Sequence, residues 1–203
     1  MLLFLIVLFI LFSVVINTYP AITLWDRELI IYIQSLLKDV PLWVPTAFDG
    51  MLYATMIVIP LIFAWICFAR KKKYFDIAFL GAIPLITYGF SSILKHIVER
   101  PRPPMELHLS VHPGGFSYVS SHTLISFCLW GMIIYYLIKY CENKALKIVG
   151  ITIASTWMAL IGFSRAWLGV HNPTDVLAAY FLGIILLIIY INARKFFEKY
   201  IGL

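Results

Sequence analysis

Six runs of apolar residues, at about 1–16, 51–69, 75–94, 122–139, 148–163 and 174–191, are divided by short polar stretches. Each run comes near the ~20 residues that a helix needs to cross the hydrocarbon core of a bilayer. The pattern predicts an all-α fold, a polytopic membrane protein with six transmembrane helices. Residues 18–50, between the first two runs, read differently. Trp25, Leu29, Ile30, Ile33, Leu36 and Leu37 recur there at helical spacing, while Asp26, Arg27, Glu28, Lys38 and Asp39 supply a polar side. That amphipathic pattern predicts a short interfacial helix after the first span rather than a seventh crossing. No basic stretch precedes the first run and no small-x-small cleavage site follows it, so it reads as a retained helix and not as a signal peptide. With no internal repeat or low-complexity tract, residues 1–203 read as a single membrane-embedded domain.

Composition agrees with this reading. Hydrophobic residues make up 62% of the 203 and charged residues 13%, with a mean hydropathy of +0.92. Soluble domains carry about 25% charged residues, and these figures also exclude a disordered chain, a collagen-like repeat and a small disulfide scaffold. The formal charge of +6 points to cytoplasmic anchoring rather than to nucleic acid. Arg70, Lys71, Lys72, Lys73, Lys139, Lys144, Lys147, Arg194, Lys195 and Lys199 fall in loops on one side. Arg27, Lys38, Lys95, Arg100, Arg102 and Arg165 fall on the other. The positive-inside rule places the larger set, and both termini, in the cytoplasm. Cys67, Cys128 and Cys141 lie in or beside the membrane or on the cytoplasmic side, which implies neither a disulfide nor a metal site.

His96, His108, His112, His122 and His171 all lie between the third and sixth spans, on the outer side in this topology. Ionisable groups at membrane depth are costly, so such a cluster at helix ends needs a reason. Three segments supply one: Lys95 to Pro103, Val119 to His122, and Ser164 to Asp175. Pro101, Pro103 and Pro104 stop the third span and let the chain turn back, so that Lys95 and Arg102 can face one anion. Ser120 or Ser121 suits the N-cap of the fourth span, which leaves free N–H groups and a positive dipole end suited to phosphate. Asn172-Pro173, with Asp175 at the third helical position, reads as a capping-box-like start to the sixth span, close enough for Asp175 to hold His171. Singly, each of these residues has a plainer role. Asp175 can serve as a cap alone, Lys95 and Arg165 as snorkelling anchors, and His122 as a polar helix-end residue. His96, His108 and His112 keep that plainer role here.

Together, the three segments resemble the signature of the type 2 phosphatidic acid phosphatase superfamily, which also includes vanadium-dependent haloperoxidases. The first block matches through Lys95, Arg102 and Pro103, and the third through Ser164, Arg165, His171 and Asp175. The second keeps Ser120 and His122 but has Val119 where the family has proline and Ser121 where it has glycine. The resemblance implies six helices with a phosphate site at one face. It implies His171 as nucleophile, Asp175 orienting it and His122 as general acid and base. Lys95, Arg102, Ser120, Ser121, Ser164 and Arg165 are implied to bind the phosphate. Three cations suffice against a phosphate of about −1.5 to −2, so no metal or other cofactor is expected. The expected partner is a phospholipid or prenyl-phosphate substrate in the bilayer, with no nucleic acid and no obligate protein partner. Undecaprenyl diphosphate is favoured because the site faces outward, with phosphatidylglycerol phosphate and phosphatidic acid as further candidates. The competing functions are a lipid phosphotransferase using the same phosphohistidine and a non-catalytic lipid-binding or transport protein. A glycine-to-serine change at Ser121 matters only if the backbone there takes a positive φ.

Overall fold

The computed structural model describes residues 1–50, 58, 60–62, 65, 74–110 and 114–201. These residues form seven helices: α1 Leu2–Thr18, α2 Pro20–Leu36, α3 Trp43–Gly50, α4 Tyr74–Val98, α5 Ser121–Tyr140, α6 Lys144–Trp167 and α7 Pro173–Ile201. A 3₁₀ turn, Met105–Leu107, lies between α4 and α5. Helices α4 to α7 are each long and apolar enough to cross a membrane, and α1 with α2, bent by 82° at Tyr19, makes a fifth if the pair is taken as one span. The chain is thus an all-helical, multi-pass membrane protein. The expected second span over 51–69 lies mostly outside the described residues, as do Cys67, Arg70, Lys71, Lys72, Lys73 and His112. Residues 18–50 form two helices, α2 and α3, where one short helix was expected.

Helix α5 is the centre of the bundle and packs against α4, α6 and α7, while α1 lies along α7. The shared core joins Leu80 and Ile83 of α4 to Leu124, Leu129 and Met132 of α5 and Ala178, Leu182 and Ile185 of α7. Outward faces remain apolar, as at Leu85, Ile93 and Ile97 of α4. In water such a face would be a liability; in a bilayer it meets acyl chains of its own polarity.

Four helix ends meet at one end of this bundle, and local chemistry sets each. Helix α4 stops at Val98, Glu99 turns with φ +50°, and Pro101 cannot extend the helical hydrogen bonding. Ser120 is the N-cap of α5, in an extended conformation. Helix α6 ends at Trp167, and Gly169 reverses the chain with φ +69°, where a Cβ would stand only 2.0 Å from the Leu107 carbonyl oxygen. No other residue type fits that position without moving the turn. Leu109 N–H bonds to the Leu168 carbonyl at 2.9 Å, and Gln34 of α2 donates to the carbonyls of Leu107 and Trp167 at 2.8 and 2.9 Å. The connections on either side of α5 and α6 are thereby tied together under α2.

Candidate active site

Pro173 opens α7, and Asp175 in its first turn accepts from both the backbone N–H and the side-chain amide of Asn172, at 3.1 and 3.0 Å. This reciprocal start fixes the residue before it. His171 is 3% exposed, its backbone N–H directed at the Arg165 carbonyl. Arg102 approaches the imidazole Nε2 at 3.4 Å and is itself held by the carbonyls of Val170, Gly115 and Gly114 at 2.7, 3.1 and 3.2 Å. Lys95, at the end of α4, donates to the carbonyls of Phe116 and Ser117 at 2.9 and 3.1 Å. Burial holds His171 well below its ordinary pKa of 6.5, and the charges of Lys95, Arg102, Arg165 and His122 act in the same direction. The imidazole is therefore neutral at physiological pH, as a nitrogen nucleophile must be.

Lys95, Arg102, Arg165, His122 and His171 thus share one electrostatic neighbourhood. The serine hydroxyls of the three segments make bonds within the fold. Ser120 accepts from Thr123 Oγ1 at 2.9 Å and makes no side-chain cap bond. Ser121 is the first residue of α5, on the helical side of its cap, and its hydroxyl lies 2.7 Å from that of Ser91 on α4. The left-handed backbone that would have favoured glycine is therefore absent at Ser121. Ser164 is 1% exposed and donates to Ile161 in its own helix at 2.8 Å. Outside the site, His96 stands edge-on to Phe116 at 6.0 Å, and His108 Nε2 is 3.0 Å from the Pro103 carbonyl.

Asp175 differs from the expectation in one respect. Its carboxylate makes no direct bond to His171. One oxygen accepts from Arg100 at 2.5 Å; the other accepts from Asn172 and, at 2.5 Å, from the hydroxyl of Ser117. Ser117 Oγ in turn lies 3.3 Å from His171 Nδ1. Arg100 also reaches Asp26 Oδ2 at 2.9 Å, and Asp26 accepts from the backbone N–H and hydroxyl of Thr174 at 2.9 and 2.6 Å. Asp26 was expected on the polar side of an amphipathic helix, yet it is 0% exposed. Its burial is stable because three donors surround it, a fact that the periodicity of residues 18–50 does not carry. Arg100 lies inside the first block, but spacing alone did not separate it from the surface cations.

The sequence pattern of the PAP2 superfamily matches residues 76–199. The chain belongs to the PAP2 superfamily. Phosphatidylglycerophosphatase B of Bacillus subtilis (strain 168) is 37% identical over 112 residues, 52% of this chain and 54% of that protein. Lipid phosphate phosphatase delta of Arabidopsis thaliana is 30% identical over 118 residues, 53% of this chain and 28% of that protein. The matched stretch therefore spans about half the length of the first relative and about a quarter of the second. In three dimensions the chain resembles the crystal structure of a transmembrane PAP2 type phosphatidylglycerolphosphate phosphatase from Bacillus subtilis. The TM-score is 0.81 at 22% identity, with 98% of each chain covered, a likeness of fold. Among the described residues, no group of three or more His, Cys, Asp and Glu side chains converges as a metal site.

Proposed function

We propose that this protein is a membrane lipid phosphatase that hydrolyses a lipid phosphate or diphosphate through a phosphohistidine at the outer membrane–water interface. The observation that carries this reading is the buried imidazole of His171, 3% exposed, with Arg102 facing its Nε2 at 3.4 Å at the point where the four helix ends meet. Attack by His171 forms a P–N bond and breaks the bond from phosphorus to the lipid oxygen. His122 gives that leaving oxygen a proton, then takes one from the water that cleaves the P–N bond. Lys95, Arg102 and Arg165, with the N–H groups at the start of α5, hold the non-bridging oxygens and stabilise the charge they share in the transition state. Ser120, Ser121 and Ser164 shape that end of the site through bonds to Thr123, Ser91 and Ile161.

The substrate keeps its tail in the bilayer and presents its headgroup phosphate where the four helix ends meet. We favour undecaprenyl diphosphate because an outward-facing site suits a spent carrier lipid; the name of the Bacillus subtilis relative adds phosphatidylglycerol phosphate as the second substrate to assay. Helix α2, turned 82° from α1, lies along the interface beside the site in this reading. Both termini are cytoplasmic: Lys139, Lys144, Lys147, Arg194, Lys195 and Lys199 belong to the helix ends remote from His171. A cysteine at Gly114 should then react with a membrane-impermeant thiol reagent in intact cells, and labelling only after lysis would reverse the topology.

The function is tested by phosphate release from purified protein in EDTA, using undecaprenyl diphosphate, phosphatidylglycerol phosphate and phosphatidic acid. Release that falls by at least about 10³-fold in His171→Ala is the expected result. Undiminished release from that variant, or a strict need for Mg²⁺, overturns the mechanism.

A further inference from the structure

Ser117 is 0% exposed and fixed on three sides. Its N–H bonds to the Arg100 carbonyl at 2.8 Å, its carbonyl accepts from Lys95 at 3.1 Å, and its hydroxyl lies between Asp175 and His171. A serine hydroxyl has one proton to give. At 2.5 Å from an ionised carboxylate that proton belongs to the bond with Asp175 Oδ2. Toward His171, 3.3 Å away, Ser117 can then act only as an acceptor, so Nδ1 must carry a hydrogen. The other side of the ring gives the same answer independently. Arg102 has donors and no acceptor, so the Nε2 that faces it at 3.4 Å is the bare nitrogen. Two separate contacts select one tautomer.

We propose that Ser117 is a positioning residue through which Asp175 acts on His171, holding the hydrogen on Nδ1 and leaving Nε2 as the nucleophile. This rests on the phosphatase reading above. When Nε2 bonds to phosphorus, the ring becomes cationic while its Nδ1 hydrogen stays in place. The Nδ1–H···Ser117 Oγ–H···Asp175 chain then tightens without any proton crossing it. Asp175 is suited to this remote role because Arg100 is shared between it and Asp26. One guanidinium facing two carboxylates leaves the buried group with one negative charge over, and the nascent imidazolium is the cation that balances it. A direct Asp175–His171 contact is not needed for that stabilisation, since the serine transmits it through two hydrogen bonds.

The test combines spectroscopy with kinetics on the full-length protein in lipid nanodiscs. With ¹⁵N-labelled histidine, and His171→Gln to assign the signal, the substrate-free protein should show His171 protonated at Nδ1. Ser117→Ala leaves only the 3.4 Å contact from Arg102 to select the tautomer, so a measurable Nε2–H fraction should appear beside the Nδ1–H form. In phosphate-release assays Ser117→Ala should lower kcat by about 10- to 100-fold with KM within about twofold, because the loss arises in the transition state. Combined with Asp175→Asn, it should cost no more than the worse single variant, since both interrupt one chain. An unchanged tautomer in Ser117→Ala, or independent and multiplicative losses in the double variant, overturns the proposal. A tautomer shift in a protein whose wild type releases no phosphate supports the role of Ser117 and overturns the phosphatase reading instead. Should Ser117→Ala fold poorly, Ser117→Cys retains a weak donor and acceptor and should fall between the two; activity equal to wild type would count against the relay.

Discussion

Two buried arginine–carboxylate groups lie at opposite ends of the same helix bundle, and they are built to different balances. At the end remote from His171, Arg194 of α7 pairs with Asp76 of α4. Tyr136 donates to Asp76 at 2.9 Å, Glu198 lies 3.5 Å from Arg194, and Lys139 pairs with Glu198 at 2.5 Å. Two cations meet two carboxylates and the group closes on itself. At the other end, Arg100 meets both Asp26 and Asp175, at 2.9 and 2.5 Å, so the buried group is one negative charge in excess. Beyond it stand Lys95, Arg102 and Arg165 around a neutral imidazole. The comparison separates the roles of buried charge. A balanced cluster holds α4 to α7; an unbalanced one keeps a charge in reserve for a partner that forms during reaction, and leaves cations for an anion from outside.

Breaking the balanced end should have the largest effect on stability and the smallest on chemistry. Asp76→Asn leaves Arg194, 2% exposed, without its carboxylate, and should cost about 3–5 kcal/mol. The measurement is thermal unfolding in nanodiscs, with phosphate release per folded molecule unchanged within about twofold. A matching loss of turnover would mean that the two ends are coupled.

Breaking the unbalanced end should do the reverse. Asp26→Asn removes the extra negative charge while keeping the Arg100–Asp175 pair. Turnover should fall about tenfold, corresponding to ~1.4 kcal/mol of transition-state stabilisation, through kcat rather than KM. A change confined to KM would assign Asp26 to substrate binding and remove the charge-reserve argument.

The acid response sharpens the same contrast. His171 sits well below 6.5 because it is buried among cations, so the neutral nucleophile persists as pH falls through 6.5 and is lost only at a lower pH. Stability follows the same sign: the unfolded chain binds this proton more readily, so His171 contributes stability that is intact above 6.5 and lost as pH falls through its folded-state value. A ¹⁵N-histidine titration of the substrate-free protein checks it, and a midpoint at or above 6.5 would contradict the crowding of cations around the ring.

The smallest effect belongs to Ser121→Gly. With Ser121 already inside an ordinary helix start, glycine relieves nothing and loses only the bond to Ser91, about 0.5–1.5 kcal/mol. Calorimetry with parallel kinetics should show that loss with activity near wild type. A large gain in turnover would mean that the backbone opens there when phosphate binds.

Span positions are legible in the sequence because a helix in lipid must satisfy its own backbone and bury its own surface, both local demands written in consecutive residues. Helices α4 to α6 accordingly start and stop within a few residues of the apolar runs, and α7 continues past its own run to Ile201. The 82° turn at Tyr19 is followed at once by Pro20, the first residue of α2. The ends carrying Lys95, His122 and His171 were legible for the same reason, since prolines, serine caps and Asn172-Pro173 act on their nearest neighbours. Partner choice among the buried charges was not. Asp26 meets Thr174 across 148 positions, Arg100 meets Asp175 across 75, and Ser117 reaches His171 across 54. No periodicity links such positions. A charge removed from solvent takes whichever donor the packed helix ends bring within about 3 Å, and only the assembled bundle decides which one that is.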